Sequence, residues 1–146
     1  MPAPISAKRM PKTPNARADG LARELSELHY TRGSLNFARG DIAACRAEHH
    51  AALVCARSLG DPGWEARAVS GLADADYADG RMKSALAQFE QCVLLCTMHG
   101  LMRVAIPNRV LIGFCRGFLM QFDRGVADIE AARALAVQVG DQVEVG

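Results

Sequence analysis

Aromatic residues are scarce in this chain, at 5% of 146 residues, while hydrophobic residues make up 50%. A core with so few rings must be packed by Ala, Leu and Val, which favours helices that approach one another closely. An excess of charge of one sign is also absent, because 17 Lys and Arg face 16 Asp and Glu. Without clustered cations, we do not expect nucleic acid to be a partner.

Several segments and motifs are missing as well. No apolar run reaches the roughly 18 residues of a membrane span, and no secretory signal opens the chain. We therefore expect a cytoplasmic protein with no membrane partner. The sequence has no GxxxxGK[ST] phosphate loop, no GxSxG serine signature and no CxxC pair. It therefore predicts no enzyme, no catalytic residue and no cofactor.

The cysteines and histidines do not form a chemical site by their spacing. Cys92 and Cys96 are one helical turn apart and could share a soft metal, but no further ligand cluster has a suitable spacing. We expect buried thiols instead. His49 and His50 are adjacent, so on a helix they point in different directions and cannot face one site. We expect His49 in or near the core and His50 in solvent.

Glycine, by contrast, recurs at a fixed interval of twenty residues. The members are Gly20, Gly40, Gly60, Gly80, Gly100 and Gly140, and only the slot at Met120 is missed. Alternate glycines close apolar helical stretches, and the resulting period of about 40 residues with two helices in each predicts an α-solenoid. Glycine suits the turns because the residue after a helix often has positive φ.

The hydrophobic pattern predicts six helices, over residues 21–38, 42–58, 62–78, 81–98, 102–120 and 123–139. Asp41 is the expected N-cap of the second helix, and Asp61 followed by Pro62 marks the start of the third. Pro107 either begins the fifth helix or kinks it. These capping and proline signals depend only on neighbouring residues. The helix limits that they predict agree with the glycine interval.

The same pattern divides the chain into units. Residues 1–20 hold four of the six prolines and show no periodicity, which predicts a disordered leader. The repeat domain covers 21–140, as units 21–60, 61–100 and 101–140. Residues 141–146 are a tail or the start of a missing repeat, because Gly140 is expected to end a helix and Asp141 could cap another.

Small residues recur at matching places when the units are counted from Ser26, Ala66 and Asn108, which puts the third start two places later than an even interval would. The three sets are Gly33, Ala73 and Cys115; Cys45, Ala85 and Ala127; and Ala52, Cys92 and Ala134. This arrangement resembles the tetratricopeptide repeat, whose helix-B aromatic is matched by Phe89 but not by His49 or Ala131. The resemblance implies an all-α fold, a right-handed α-solenoid of three helix hairpins.

Two segments extend the resemblance. Residues 27–33 (ELHYTRG) and 60–68 (GDPGWEARA) resemble the C-terminal repeat region of bacterial signalling ATPases that carry a nucleotide-cyclase domain. Related regions occur in large transcriptional regulators. The alternatives to a free-standing scaffold are therefore a regulatory fragment of such a protein or a truncated remnant.

The tetratricopeptide resemblance also implies a concave wall, formed by the first helix of each pair, that binds a protein or peptide. Carried over from the same three starting residues, the candidate binding residues are Tyr30, Phe37, Arg67, Asp74, Tyr77, Arg109 and Arg116. They suit a helix or extended peptide with an acidic end. Asp74, Asp76 and Asp79 are either part of this groove or a solvated acidic face.

The last predicted helix carries Ile129, Leu135 and Val139 with no following helix to cover them. Terminal repeats normally present a polar face. We therefore expect self-association through this helix.

Overall fold

The computed structural model describes residues 16–144, and these contain six helices and no strand. The helices are α1 (Ala16–Ala38), α2 (Ile42–Leu59), α3 (Pro62–Ala78), α4 (Met82–His99), α5 (Met102–Phe118) and α6 (Phe122–Glu144). Consecutive helices pair as α1–α2, α3–α4 and α5–α6, and each pair packs on the next. The predicted all-α solenoid of helix hairpins is confirmed.

The stack has an inner side and an outer side. α3 contacts α1 and α5, whereas within the described part α2, α4 and α6 make no contact with one another. α2 instead packs on α3, and α4 packs on α5. The first helices of the pairs therefore lie closer together than the second helices, so α1, α3 and α5 line the inner side.

The turns between helices follow the sequence signals. The backbone N–H of Ala44 donates to Asp41 Oδ1 at 3.0 Å, and that of Trp64 donates to Asp61 Oδ1 at 3.1 Å, so both predicted N-caps are confirmed. Four glycines of the twenty-residue interval have φ between 64° and 79°; they are Gly40, Gly60, Gly80 and Gly100. Glycine adopts this left-handed region without the steric cost that a Cβ brings.

The predicted helix limits were wrong at both ends of the chain. α1 begins at Ala16, so the last five residues of the predicted leader are helical, and residues 1–15 lie outside the described residues. α6 continues through Gly140 to Glu144, and Gly20 likewise lies inside α1. Glycine permits a turn but does not require one. α5 begins before Pro107 and ends at Phe118.

The predicted late start of the third unit was also wrong. α2, α4 and α6 begin at Ile42, Met82 and Phe122, which are evenly spaced along the chain, so the third unit is counted from Ile106 and not from Asn108. Its small residues are therefore Gly113, Gly125 and Ala132, in place of Cys115, Ala127 and Ala134. Throughout the structure, residues of different pairs are called equivalent when this even spacing relates them.

The close contact of α5 with α6 explains the corrected register. A Cβ on Gly113 would lie 2.8 Å from the carbonyl oxygen of Gly125, and one on Gly125 would lie 2.7 Å from that of Gly113. The two helices cross here without room for a side chain. Ala127 and Ala134, by contrast, are exposed. The third pair therefore has glycine at both crossing positions, where the second pair has Ala73 and Ala85 and the first has Gly33 and Cys45.

Buried thiols fill much of the core, as predicted for Cys45, Cys92 and Cys115. These three and Cys96 are fully buried, as is Phe89 of α4, which is the largest fully buried side chain described. The Cys92 thiol donates to the carbonyl oxygen of Ala66 at 3.3 Å and so links α4 to α3. Burial raises the pKa of the Cys115 thiol to about 11, which keeps it protonated near neutral pH.

Met120 occupies the missed glycine slot and has φ of 65°, in the same left-handed region as the turn glycines. Because a side chain costs roughly 1–2 kcal/mol in this region, we expect Met120→Gly to raise the free energy of unfolding by about 1 kcal/mol. Met120→Ala keeps a Cβ and is the matched control, for which we expect no such gain. Urea unfolding of the three proteins measures the difference, and equal effects of Gly and Ala would contradict the account.

Candidate binding surface on the inner helices

The even spacing of the pairs changes which residues of α5 lie on the inner side. We define the inner face by five equivalent positions on each of α1, α3 and α5. Its members are Glu27, Tyr30, Ser34, Phe37, Ala38, Arg67, Ser70, Asp74, Tyr77, Ala78, Pro107, Val110, Phe114, Gly117 and Phe118. Pro107 and Phe114 stand at the positions to which the later start had assigned Arg109 and Arg116. The third pair therefore contributes apolar rings to this face.

One end of the inner face is closed by aromatic packing. The ring of Tyr30 meets those of His49 and Trp64 edge to face, with centroids 5.4 and 5.7 Å apart. The Arg67 guanidinium lies 5.3 Å from the centre of the Trp64 ring, and its Nη1 donates to the carbonyl oxygen of Gly63 at 3.1 Å. Tyr30, Trp64 and Arg67 are half-buried, so they contribute rigidity more than open surface.

The other end of the inner face leaves rings open to solvent. Phe37 is 40% exposed, Phe114 49% and Phe118 63%. Tyr77 is half-buried and meets Phe118 edge to face across α3 and α5, with centroids 6.0 Å apart. α1, α3 and α5 thus each present an aromatic side chain near their C-terminal ends. Such rigid rings supply large contact area for a partner at little entropic cost.

Asp74 lies one helical turn before Tyr77, between the two aromatic ends. It is half-buried and forms no ion pair with the described side chains of residues 16–140. Burial raises the pKa of its carboxyl to about 6, because removing water disfavours the charged form. At neutral pH this is an ionised carboxylate that has lost hydration without gaining a counter-ion. A cation placed beside it would therefore be stabilised.

Asp76 and Asp79 have a different role, which the sequence did not reveal. Arg46 of α2 donates to Asp76 at 2.5 Å and to Asp79 at 2.6 Å, joining α2 to α3. Asp76 also accepts hydrogen bonds from Ser84 and Gln88 of α4, and its side chain is only 4% exposed. Arg46 lies on another helix hairpin, so no local pattern could have indicated the contact.

Arg109 and Arg116 do not join the other predicted binding residues. Arg116 donates to Glu90 of α4 at 2.8 Å and also to Asp128 of α6, and its side chain is 13% exposed. Arg109 is half-buried, and its Nε is buried. Arg116 is the equivalent of Asp76. It connects α5 to α4 and α6 as Asp76 connects α3 to α2 and α4, with a guanidinium in place of the carboxylate.

His49 lies in the core, as predicted, and His50 is exposed. The imidazole of His49 is 2% exposed and lies between two glycines. A Cβ on Gly33 would come within 2.7 Å of the ring, and one on Gly71 would come closer still. Burial lowers the pKa of His49, so the neutral form is favoured. The residue is a packing element that substitutes for the aromatic of helix B.

Among the side chains that the structure describes, those of residues 16–140, His, Cys, Asp and Glu nowhere come together in a group of three that could hold a metal ion. Across the same residues, no helix combines the length and apolar character that crossing a membrane requires.

Comparisons with known proteins identify the fold and go no further. No protein-family profile matches the sequence, and no curated protein is significantly similar to it. Among solved structures, the crystal structure of the TPR domain of Arabidopsis FLU matches with a TM-score of 0.75 at 16% identity, covering 80% of this chain and 98% of that one. The chain therefore has a tetratricopeptide-like helical repeat fold. The resemblance to cyclase-linked ATPases stays a prediction.

Proposed function

We propose that this tetratricopeptide-like stack is a non-catalytic scaffold that binds a protein or peptide segment on its inner face. The observation that carries the proposal is an aromatic group beside the carboxylate of Asp74, which has no ion-pair partner among the described side chains. The group consists of the exposed rings of Phe37, Phe114 and Phe118 and the half-buried ring of Tyr77. Apolar anchors around a single charged group are a common recognition mode for peptides in helical grooves. The stack holds these side chains on rigid helices, so little entropy is lost on binding.

The charges on this surface favour a basic partner segment. The acidic end expected from the sequence depended on Arg116, but that guanidinium already has two carboxylate partners. Asp74 has none among the described residues, so it gains most from a Lys or Arg of the ligand. The partner segment is thus proposed to carry one cation flanked by aliphatic or aromatic side chains.

The proposal is tested by selecting peptides from a random library on the whole chain and measuring their affinity for variants. We expect the selected peptides to be basic and apolar, and Tyr77→Ala to weaken their binding about tenfold, as for a central aromatic contact. Leu94→Ala is the matched control, because Leu94 is exposed on α4 and lies off the inner face. Selected peptides that lose affinity for the control and not for Tyr77→Ala would refute the proposal.

The pH dependence of peptide binding tests the role of Asp74. With a pKa of about 6, about one-tenth of the free carboxyls are ionised at pH 5. We expect a His-free basic peptide to bind up to about tenfold more weakly at pH 5 than at pH 7.5. The Asp74→Asn variant should bind weakly at both pH values. An unchanged pH dependence in that variant would assign the effect to another group.

A further inference from the structure

The two ends of the stack expose surfaces whose equivalents are buried at the internal junctions. Where α3 packs on α2, Ala68 and Ala75 are fully buried. Their equivalents on α1 are Leu28 and Leu35, which are 50% and 60% exposed. Their equivalents on α5, Asn108 and Cys115, are again buried. The leucines therefore stand on a packing face that no described helix covers.

The opposite end of the stack, formed by α5 and α6, carries an apolar groove that is complementary to these leucines. Cys115 of α5 packs in one cluster with Ala73, Ala85 and Phe89 of the second pair. The equivalents in the third pair are Gly113, Gly125 and Ile129, each smaller than its counterpart. They line an open apolar groove of about 350 Å³. Leu35 stands at the repeat position of Cys115, so a larger side chain of α1 matches a wider groove on α5 and α6.

A second pair of positions shows the same match. Across the α2–α3 junction, Arg57 Nε donates to Glu65 Oε1 at 3.1 Å. The equivalents at the two ends are Val137 on α6 and Leu25 on α1, which are 59% and 36% exposed. An ion pair within the stack is thus replaced by two apolar side chains at the two ends of the described stack. Both changes are on the same chain, which favours a second copy over an unrelated partner.

We propose that a second copy of this chain docks its α1 onto the groove of α5 and α6, head to tail, so that the helix stack continues from one copy into the next. The contact reproduces the α2–α3 and α4–α5 junctions. It is heterologous, so each added copy leaves a free head and a free tail. The self-association expected from α6 thereby has α1 as its opposite surface. Of the inner face, only the end on α5 adjoins the contact, because Phe114 and Phe118 also line the groove.

Acidic substitutions at each end of the stack give the direct test. The head variant is Leu28→Glu with Leu35→Glu. The tail variant is Val126→Glu with Val137→Glu, since Val126 also lines the groove. All four side chains are at least half exposed, so folding is retained. The control, Val54→Glu with Leu94→Glu, adds the same charge on the outer sides of α2 and α4. In sedimentation velocity of the full chain, we expect wild type and control to grow past the dimer with concentration. Each end variant should raise the dissociation constant by about thirtyfold or more.

Mixing the two end variants distinguishes head-to-tail assembly from a symmetric contact. The head variant keeps a working tail, and the tail variant keeps a working head. We expect the mixture to form a one-to-one heterodimer that grows no further. A wild-type chain that stays monomeric, a head variant that still dimerises through α6, or a mixture that stays monomeric would each overturn the proposal.

A substitution that should tighten the self-association tests the proposal independently. Arg133 stands on α6 where α2 has Leu53 and α4 has Val93, both of which are covered by the following pair. Arg133→Leu should therefore tighten assembly by about tenfold, because an apolar side chain replaces a charge at the junction. No change, or weaker assembly, would place Arg133 outside the contact.

Discussion

Gly71→Ala is expected to lower the free energy of unfolding by about 2 kcal/mol, the cost of overpacking a tight core. The same substitution in an unobstructed helix stabilises it by up to about 1 kcal/mol, because alanine is the better helix former. The destabilisation expected at residue 71 is caused by the ring of His49. A methyl group on residue 71 would overlap three atoms of a ring that is held on its other side by Gly33.

The dependence on His49 is tested by a double-mutant cycle. In the His49→Ala background the ring is absent, so Gly71→Ala should be neutral or stabilising. The coupling energy between the two sites is then about 2 to 3 kcal/mol. Gly20→Ala is the control, because Gly20 is helical and has no atom within 4 Å of an added Cβ. Should Gly71→Ala cost the same in both backgrounds, the close packing of α3 on His49 is not the cause.

Asp76→Ala is expected to lower the free energy of unfolding by about 3 kcal/mol, near the lower limit for breaking a buried ion pair. Its carboxylate accepts hydrogen bonds from α2 and from α4, so its loss separates three helices at one point. Asp79→Ala removes the other partner of the same arginine, but that carboxylate is 36% exposed. For this control we expect a cost below about 1 kcal/mol. Equal losses of unfolding free energy for Asp76→Ala and Asp79→Ala, measured by urea unfolding, would show that Asp76 does not connect the three helices.

The free energy of unfolding at low pH tests the same contacts of Asp76. Burial opposes ionisation of Asp76, but the hydrogen bonds from Ser84, Arg46 and Gln88 outweigh it and hold the pKa below its usual value. A depressed pKa contributes stability that is present above the ordinary pKa of an Asp and is lost as pH falls through the folded value. Asp76→Ala should therefore flatten the stability profile below about pH 4.

The fold could be predicted because its signals are local. Asp61 and Pro62 start a helix wherever they stand before an apolar stretch, and a turn glycine acts through its own φ. The misplaced third unit shows the limit of this reasoning. Cys115, Ala127 and Ala134 are as small as the residues they were matched with, but the crossing of α5 and α6 selects Gly113 and Gly125. Residue size alone does not fix register when the backbones meet.

The binding surface was harder to predict, since it depends on contacts between distant segments. Asp74, Asp76 and Asp79 look alike in the sequence, yet Arg46 pairs with Asp76 and Asp79 only. Asp74 has no ion-pair partner among the described side chains. The sequence predicts Arg116 as an anchor for a ligand, but in the structure its guanidinium pairs with Glu90 and Asp128. Partners this far apart in the chain leave no periodic signal that could identify them.

Mapping a selected peptide by NMR tests the binding role most directly. With the labelled chain at neutral pH, we expect the largest shift changes at Phe37, Asp74 and Tyr77 and at their neighbours on α1, α3 and α5. The outer residues Val54 and Leu94 should be unchanged. Shift changes centred on those outer residues, or on the Leu28 and Val137 ends, with the inner face unaffected, would contradict the account.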